Sequence, residues 1–182
     1  MTEISVNLVK TNKKWQFFVK KQHLNRRLFI ADTIAKINQI IDFTALKSSI
    51  FQSYIFEFNF YLINDKEMSK INLNFRGKDS PTNVLAFPFL SEADIRKKGL
   101  VKTVQEVGKY VFLGEIFLSY DKIYQEAEES NKIFNNHLIH LITHGTLHLL
   151  GYDHIKKQDA KIMENLEIEI LRHFGIKNPY SD

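Results

Sequence analysis

From Gln52 to Ile63 the chain alternates in a way that suits an extended strand and little else. Tyr54, Phe56, Phe58, Phe60 and Leu62 share one face, while Ile55, Glu57, Asn59 and Tyr61 take the other, because successive side chains of a strand point to opposite sides. Shorter strands are expected at Ile4 to Val9, at Asn83 to Phe89 (ended by Pro88) and at Lys109 to Ser119. Between them the period changes. Leu24, Leu28, Ala31, Ile34, Ala35, Asn38 and Ile41 recur at helical spacing and predict an amphipathic helix through about Asp42. Asn64 or Asp65 can cap a helix from Lys66 to Asn74, and Arg76 to Pro81 reads as a turn-rich loop. A polar connection precedes Lys109. Helices follow at Asp121 to Glu129, at Lys132 to Leu150 with Gly151 as its stop, and at Lys157 to Phe174 with Gly175 beyond. The last should bury Met163, Leu166, Ile170 and Phe174. The expected fold class is α+β, one domain over residues 1–182, with a small mixed β-sheet of about four strands packed with about five or six helices.

At 182 residues the chain is long enough to bury a core without covalent staples. It contains no cysteine, which excludes disulfides, Cys-ligated zinc, iron–sulfur clusters and a thiol nucleophile, so any metal must be held by nitrogen and oxygen. The longest apolar runs, such as Leu28 to Ala31 and Tyr110 to Leu113, fall far short of a membrane span. Met1 to Lys10 alternates without the apolar core of a signal peptide. The expectation is a soluble, intracellular, cytoplasmic protein. Net charge is a modest +4, but its distribution is uneven. Lys10, Lys13, Lys14, Lys20, Lys21, Arg26, Arg27 and Lys36 face only Glu3 and Asp32 across the first 36 residues. Such a field attracts phosphates, though a solvated lysine face would look the same. Arg96, Lys97, Lys98 and Lys102 form a second cluster in an expected loop, and acidic residues gather at Glu126, Glu128, Glu129 and Glu164 to Glu169.

The chemistry is concentrated in His144-Gly-Thr-Leu-His148-Leu-Leu-Gly151-Tyr-Asp153-His154. Two histidines four apart on a helix project from one face. A glycine stop after His148 lets the backbone reverse, so that His154 can return as a third imidazole. Three imidazoles leave a fourth tetrahedral position open, the signature of a catalytic zinc site, where the pKa of water can fall to about 7. His23, His137 and His173 read as packed or surface histidines. His140, four before His144 on the same face, reads mainly as a packing residue or as support behind the metal ligands. Zincin proteases use H-E-x-x-H with the glutamate as general base. Here Gly145 stands in that place, which argues against peptide hydrolysis on a zincin-like metal helix.

The His144 to His154 segment resembles the YbeY family of bacterial ribosomal-RNA maturation endoribonucleases. Arg76-Gly-Lys-Asp-Ser-Pro-Thr82-Asn83-Val-Leu-Ala86-Phe-Pro88 is similar to a second family segment, and Leu113-Gly-Glu115-Ile-Phe-Leu-Ser119 to a third. Asn83, Ala86 and Glu115 depart from the Asp, Ser and Asp common there. The resemblance implies one zinc ion per chain on His144, His148 and His154, with Arg76 as the functional arginine. A guanidinium suits that role, offering permanently charged, planar donors to a phosphodiester. Asp153 could orient a ligand imidazole or stabilise the turn out of the helix.

Three readings compete. The first is a zinc-dependent endoribonuclease that prefers single strands and acts on small-subunit ribosomal RNA precursors in maturation and ribosome quality control. Its partners would be ribosomal RNA and the ribosome or its small subunit, with no membrane. The attacking group could be water or the RNA's own 2′-hydroxyl. The second is a non-catalytic ribosome-assembly factor with a structural metal, and the third a metallopeptidase-like hydrolase.

Overall fold

The computed structural model describes residues 3–21, 26–47 and 49–181, and the side chains of all of these but residues 26–30 and 45. Expectations resting on Met1, His23, Leu24 and the side chains of Arg26, Arg27 and Leu28 therefore lie outside the described residues.

Strands β1 (Glu3–Thr11), β2 (Ile55–Ile63), β3 (Val84–Pro88) and β4 (Tyr110–Ser119) form one sheet in the order β1-β2-β4-β3. β2 runs parallel to β1 and to β4, and β3 lies antiparallel on the outside of β4. The alternation of β2 has the expected consequence. Phe56, Phe58, Phe60 and Leu62 are buried in the main core, whereas Glu57, Asn59 and Tyr61 are only partly covered. Gln52 and Ser53 fall in a turn after Ser49–Phe51, so the strand begins three residues later than its alternation suggests.

Parallel pairing requires crossovers. Helices α1 (Lys13–Lys21) and α2 (Arg26–Ile41) connect β1 to β2. Helix α1 was hidden in the sequence by its lysines, yet it is fixed by Trp15, Phe18 and Val19. The Trp15 indole is fully buried and donates to the Ile63 carbonyl at 3.1 Å. Helix α3 (Asp65–Arg76) covers the other face of the sheet. Its Met68 and Ile71 pack with Ile63, Leu85, Phe87 and Phe117 in a small second cluster. Asn64 is its cap, accepting from the Glu67 amide at 2.9 Å while the Glu67 carboxylate accepts from the Asn64 amide. Asp65 instead accepts from Ser119 Oγ at 2.6 Å, tying the start of α3 to the end of β4.

The polar connection before β4 contains two further helices, α4 (Glu92–Lys98) and α5 (Leu100–Val107). Ser91 caps α4, and Glu92 with Arg96 forms an i,i+4 pair along it. Helices α6 (Tyr120–Glu129), α7 (Phe134–Leu149) and α8 (Lys157–His173) complete the chain. Among the described residues there are thus eight α-helices rather than five or six, within the expected α+β architecture. The excess comes from short helices whose burial is too slight to leave a clear period. None of the described helices is long and apolar enough to cross a membrane.

Helix α7 lies on the main core face of β4 and approaches it closely. A side chain at Gly145 would meet Ile116 at 3.2 Å, and one at Gly114 would meet the Phe87 carbonyl at 2.2 Å and Leu149 at 3.0 Å. Gly114 also sits where the β2–β4 register slips, with φ +137°. Gly114→Ala should therefore lower the unfolding free energy by at least about 2 kcal/mol, read as an earlier urea midpoint. An unchanged midpoint would contradict this close approach.

Candidate metal centre

The site is built by α7 and the turn that ends it. Nine residues of α7 are buried, while His144 and His148 remain partly open on its free side. The helix stops where Gly151, at φ +85°, turns the backbone left-handed, with its amide on the His148 carbonyl and the Tyr152 amide on the Leu147 carbonyl. Space enforces the same choice, since a Cβ at Gly151 would lie 2.8 Å from Ile95 of α4. The chain then returns His154 to the helix face. Asp153 Oδ1 accepts from the His154 amide at 2.7 Å, and its other oxygen accepts from Arg96 at 3.4 Å. Asp153 thus holds the backbone of the turn and touches no imidazole in the described contacts.

One ring nitrogen from each of His144, His148 and His154 lies within 4.8 Å of the other two, so the three could hold a metal ion. Their hydrogen bonds say which nitrogens are available. His144 Nδ1 lies 2.8 Å from Glu167 Oε1, and His148 Nδ1 lies 3.0 Å from the Tyr152 carbonyl. A carboxylate and a carbonyl only accept, so both Nδ1 atoms carry the proton. The two Nε2 atoms then present lone pairs to each other 3.1 Å apart. Only a cation between them makes that arrangement favourable. Burial, and then the neighbouring His144 and His154, push the His148 pKa down to about 4. Nitrogens on a tetrahedral zinc ion stand about 3.3 Å apart at ordinary Zn–N lengths, close to the observed spacing. The residues present fit such an ion.

Glu167, on α8, was not singled out from the sequence. Its carboxylate is almost fully buried and accepts from His144, from His140 Nε2 at 3.0 Å and from the Tyr180 hydroxyl. Burial alone would raise its pKa, but the hydrogen bonds from His140 and His144 outweigh it and leave the group at about 2. A signal existed. Glu167 occupies the apolar stripe of α8, four residues after Met163 and four before Leu171, both buried, where a carboxylate needs a reason to be. His140 therefore stands behind the trio, joined to it through Glu167.

Other expectations find structural homes. His137 Nε2 bonds Glu126 at 2.9 Å, and the same oxygen accepts from Asn83 Nδ2 at 2.8 Å. An aspartate at 83 would set two carboxylates together, which gives the Asn83 departure a local cause. Glu115 accepts from the Tyr61 hydroxyl at 2.8 Å on the opposite face of the sheet. His173 packs edge-on to Phe43. Much of the basic charge is paired: Lys10 with Glu67, Lys14 with Asp121, Lys36 with Asp32 and Lys98 with Glu106. Arg96 and Lys98 lie on α4 and Lys102 on α5, so the second cluster is helical rather than a loop.

Arg76 closes α3 before Gly77, whose φ of +69° caps the helix, so it belongs to a helix end rather than to the loop. It is exposed, and its side chain has no hydrogen bond or ion pair among the described residues. It does not line the 260 Å³ cleft formed by His144, His154, Met163, Glu164, Glu167 and Tyr180. Its neighbour Phe75 packs on Phe87 at 4.7 Å, close to Pro88, which pairs with Gly114. Leu149 reaches Gly114 from the other face. Arg76 and the end of α7 thus lie at the same end of edge strand β3, on opposite faces of the sheet.

Two outcomes follow. Glu167→Gln should lower zinc affinity about 10- to 100-fold in chelator competition; unaltered affinity would mean that this carboxylate does not orient His144. The lowered His148 pKa sets a pH sign. Between 6.5 and about 4 the unfolded chain binds a proton that the folded one refuses. The metal-free protein should lose stability as pH falls through that window, and His148→Asn should flatten the slope of melting temperature against pH. An equally steep slope in the variant would contradict the assignment.

Similarity to known proteins identifies the family and the fold. The family model described as Endoribonuclease YbeY matches residues 19–175. Endoribonuclease YbeY of Francisella tularensis subsp. novicida (strain U112) is 42% identical over 124 residues, covering 68% of this chain and 71% of the relative. The solution structure of TM1509 from Thermotoga maritima, 21% identical, superposes with a TM-score of 0.50 and covers 98% of this chain and 99% of its own, which shows the shared fold. By the extent of the family match and the identity to that relative, the chain belongs to the YbeY endoribonuclease family.

Proposed function

We propose that this chain is a zinc-dependent endoribonuclease that cuts single-stranded regions of small-subunit ribosomal RNA precursors in the cytoplasm, in maturation and ribosome quality control. The observation that carries the reading is the pair of Nε2 atoms 3.1 Å apart, each with its Nδ1 tied to an acceptor. Family membership supplies the reaction class.

His144, His148 and His154 would hold the ion. A bound zinc ion would supply Lewis-acid charge to a phosphodiester oxygen and lower the pKa of water at the open position. The chain's own residues do the rest. Glu167 and the Tyr152 carbonyl keep both imidazoles in the tautomer that leaves Nε2 free. Asp153 and Arg96 hold the turn that brings His154 back. Arg76, exposed and with no side-chain hydrogen bond or ion pair among the described residues, binds a flanking phosphate where the RNA rounds the β3 edge. Position 145 faces Ile116, so a zincin-type glutamate grown there would press on the sheet. That favours a phosphodiester over a peptide, whose amine leaving group needs a proton delivered.

His144→Ala/His148→Ala should remove both zinc and RNA cleavage; a doubly substituted protein that still cuts RNA would overturn the reading. Arg76→Ala should raise KM on single-stranded RNA by about 10- to 100-fold with zinc content unchanged. Peptides assayed beside the RNA should remain intact.

A further inference from the structure

The face of the sheet turned away from α7 is covered by α3 only in part. Next to the small cluster around Ile63 and Met68, four phenylalanines line its β3 side in two pairs. Phe75, from the last turn of α3, packs on Phe87 of β3 with ring centroids 4.7 Å apart, and Phe89 meets Phe112 of β4 edge-to-face at 5.5 Å. Phe75 is 69% exposed and Phe89 65%, while their partners Phe87 and Phe112 are half-buried. The register sets the partners on one face: Phe87 stands opposite Glu115 and Phe112 opposite Glu57, both turned away from the main core.

Large rings left in water mark a binding surface, and their surroundings say for what. The first indication is charge. Residues 76–80 carry Arg76 and Lys78 against Asp79, and neither basic side chain has an ion pair among the described residues, unlike Lys10, Lys14, Lys36 and Lys98. Glu115 is turned toward β2, where it accepts from the Tyr61 hydroxyl at 2.8 Å and from Asn59 Nδ2 at 3.4 Å. The centre of a protein-docking patch is depleted of charge. Open rings beside unpaired cations suit instead a strand with flat bases and an anionic backbone. The second indication is spacing. Phe87 and Phe89 stand two residues apart along the chain, about 7 Å, whereas stacked bases of a helix rise about 3.4 Å. Bases that reach both rings have left their helical stack, so a single strand fits and a duplex does not. The third is place. Phe89 follows Pro88, which pairs with Gly114, and Leu149 of α7 reaches Gly114 from the opposite face. The rings thus begin at the end of β3 that the metal helix shares.

We propose that Phe75, Phe87, Phe89 and Phe112 form a stacking surface for unpaired bases of the RNA, next to the flanking phosphate at Arg76. The surface lies on the opposite face of the sheet from the three histidines. Its rings add affinity that is tolerant of sequence, since every base has a flat face, and they favour single strands by their spacing. The inference rests on the nuclease reading above.

The test uses the zinc-loaded full chain, titrated over a range of salt with a labelled single strand of 2′-O-methyl RNA, checked to remain intact, and with the same strand in a duplex, by fluorescence anisotropy. Phe75→Leu/Phe89→Leu should weaken single-strand binding about 10- to 100-fold, with duplex binding, zinc content and melting temperature retained. Phe75→Tyr/Phe89→Tyr should bind as the parent chain does, because it keeps two flat rings. The leucine variant should keep the slope of log affinity against log salt, whereas Arg76→Ala should reduce that slope by about 0.7. A leucine variant that holds the single strand as tightly as the parent would overturn the surface, and so would one that loses single strand and duplex equally. A parent that sediments as a dimer, with the leucine variant a monomer, would give the rings to a second copy and equally overturn it. Were the leucine variant to lose a strand that the parent binds while no RNA was cut, the stacking surface would stand and the nuclease reading alone would fall.

Discussion

Two imidazole nitrogens with their lone pairs turned toward each other are an unstable arrangement, and the region around α7 is organised to hold it. Hydrogen bonds to Glu167 and to the Tyr152 carbonyl fix the rings from behind. Neither partner can donate, so neither imidazole can escape by changing tautomer. Burial and the nearby histidines keep His148 neutral at physiological pH. Together with His154 the pair could hold a metal ion, in an arrangement whose supporting hydrogen bonds are of the kind that recurs in metal centres.

The fold supplies this constraint through close approaches. The β2–β4 register slip at Gly114 and the bare Cα of Gly145 let α7 settle against Ile116 and Leu149 against the strand. Ile95 of α4 closes over Gly151, so the reversal that delivers His154 is fixed by packing as well as by φ. On the far side, α8 contributes a buried charge. An isolated carboxylate there would be strongly unfavourable. Donors from His140, His144 and Tyr180 satisfy Glu167 and hold its pKa at about 2. Removing the His140 or the Tyr180 donor weakens the support behind the trio without touching a ligand atom.

Much of this was legible in the sequence because it rests on local periodicity. The alternation of Phe56 to Leu62, the i,i+4 spacing of His144 and His148, and the Gly151 stop each follow from backbone geometry. What was missed depends on contacts between distant segments. Glu167 lies 23 residues from His144, and its charge looked like part of an ordinary acidic surface until α8 was seen to bury it. Asn83 seemed only a departure from a pattern, and its reason is Glu126, 43 residues on. Helices α1, α4 and α5 escaped because lysines or short length blurred their periods. Arg76 was placed in a loop because Gly77 begins the turn signal, whereas the helix extends to the residue before it.

The most direct test of this account is X-ray absorption at the zinc edge, on protein purified without chelator or nickel affinity, with metal content measured on the same sample. The account predicts one zinc per chain, bound by three imidazoles at about 2.0 Å and one oxygen ligand without an imidazole ring's outer scattering. Metal-free protein that resists zinc loading, or a zinc shell built mainly from carboxylate oxygens, would contradict it.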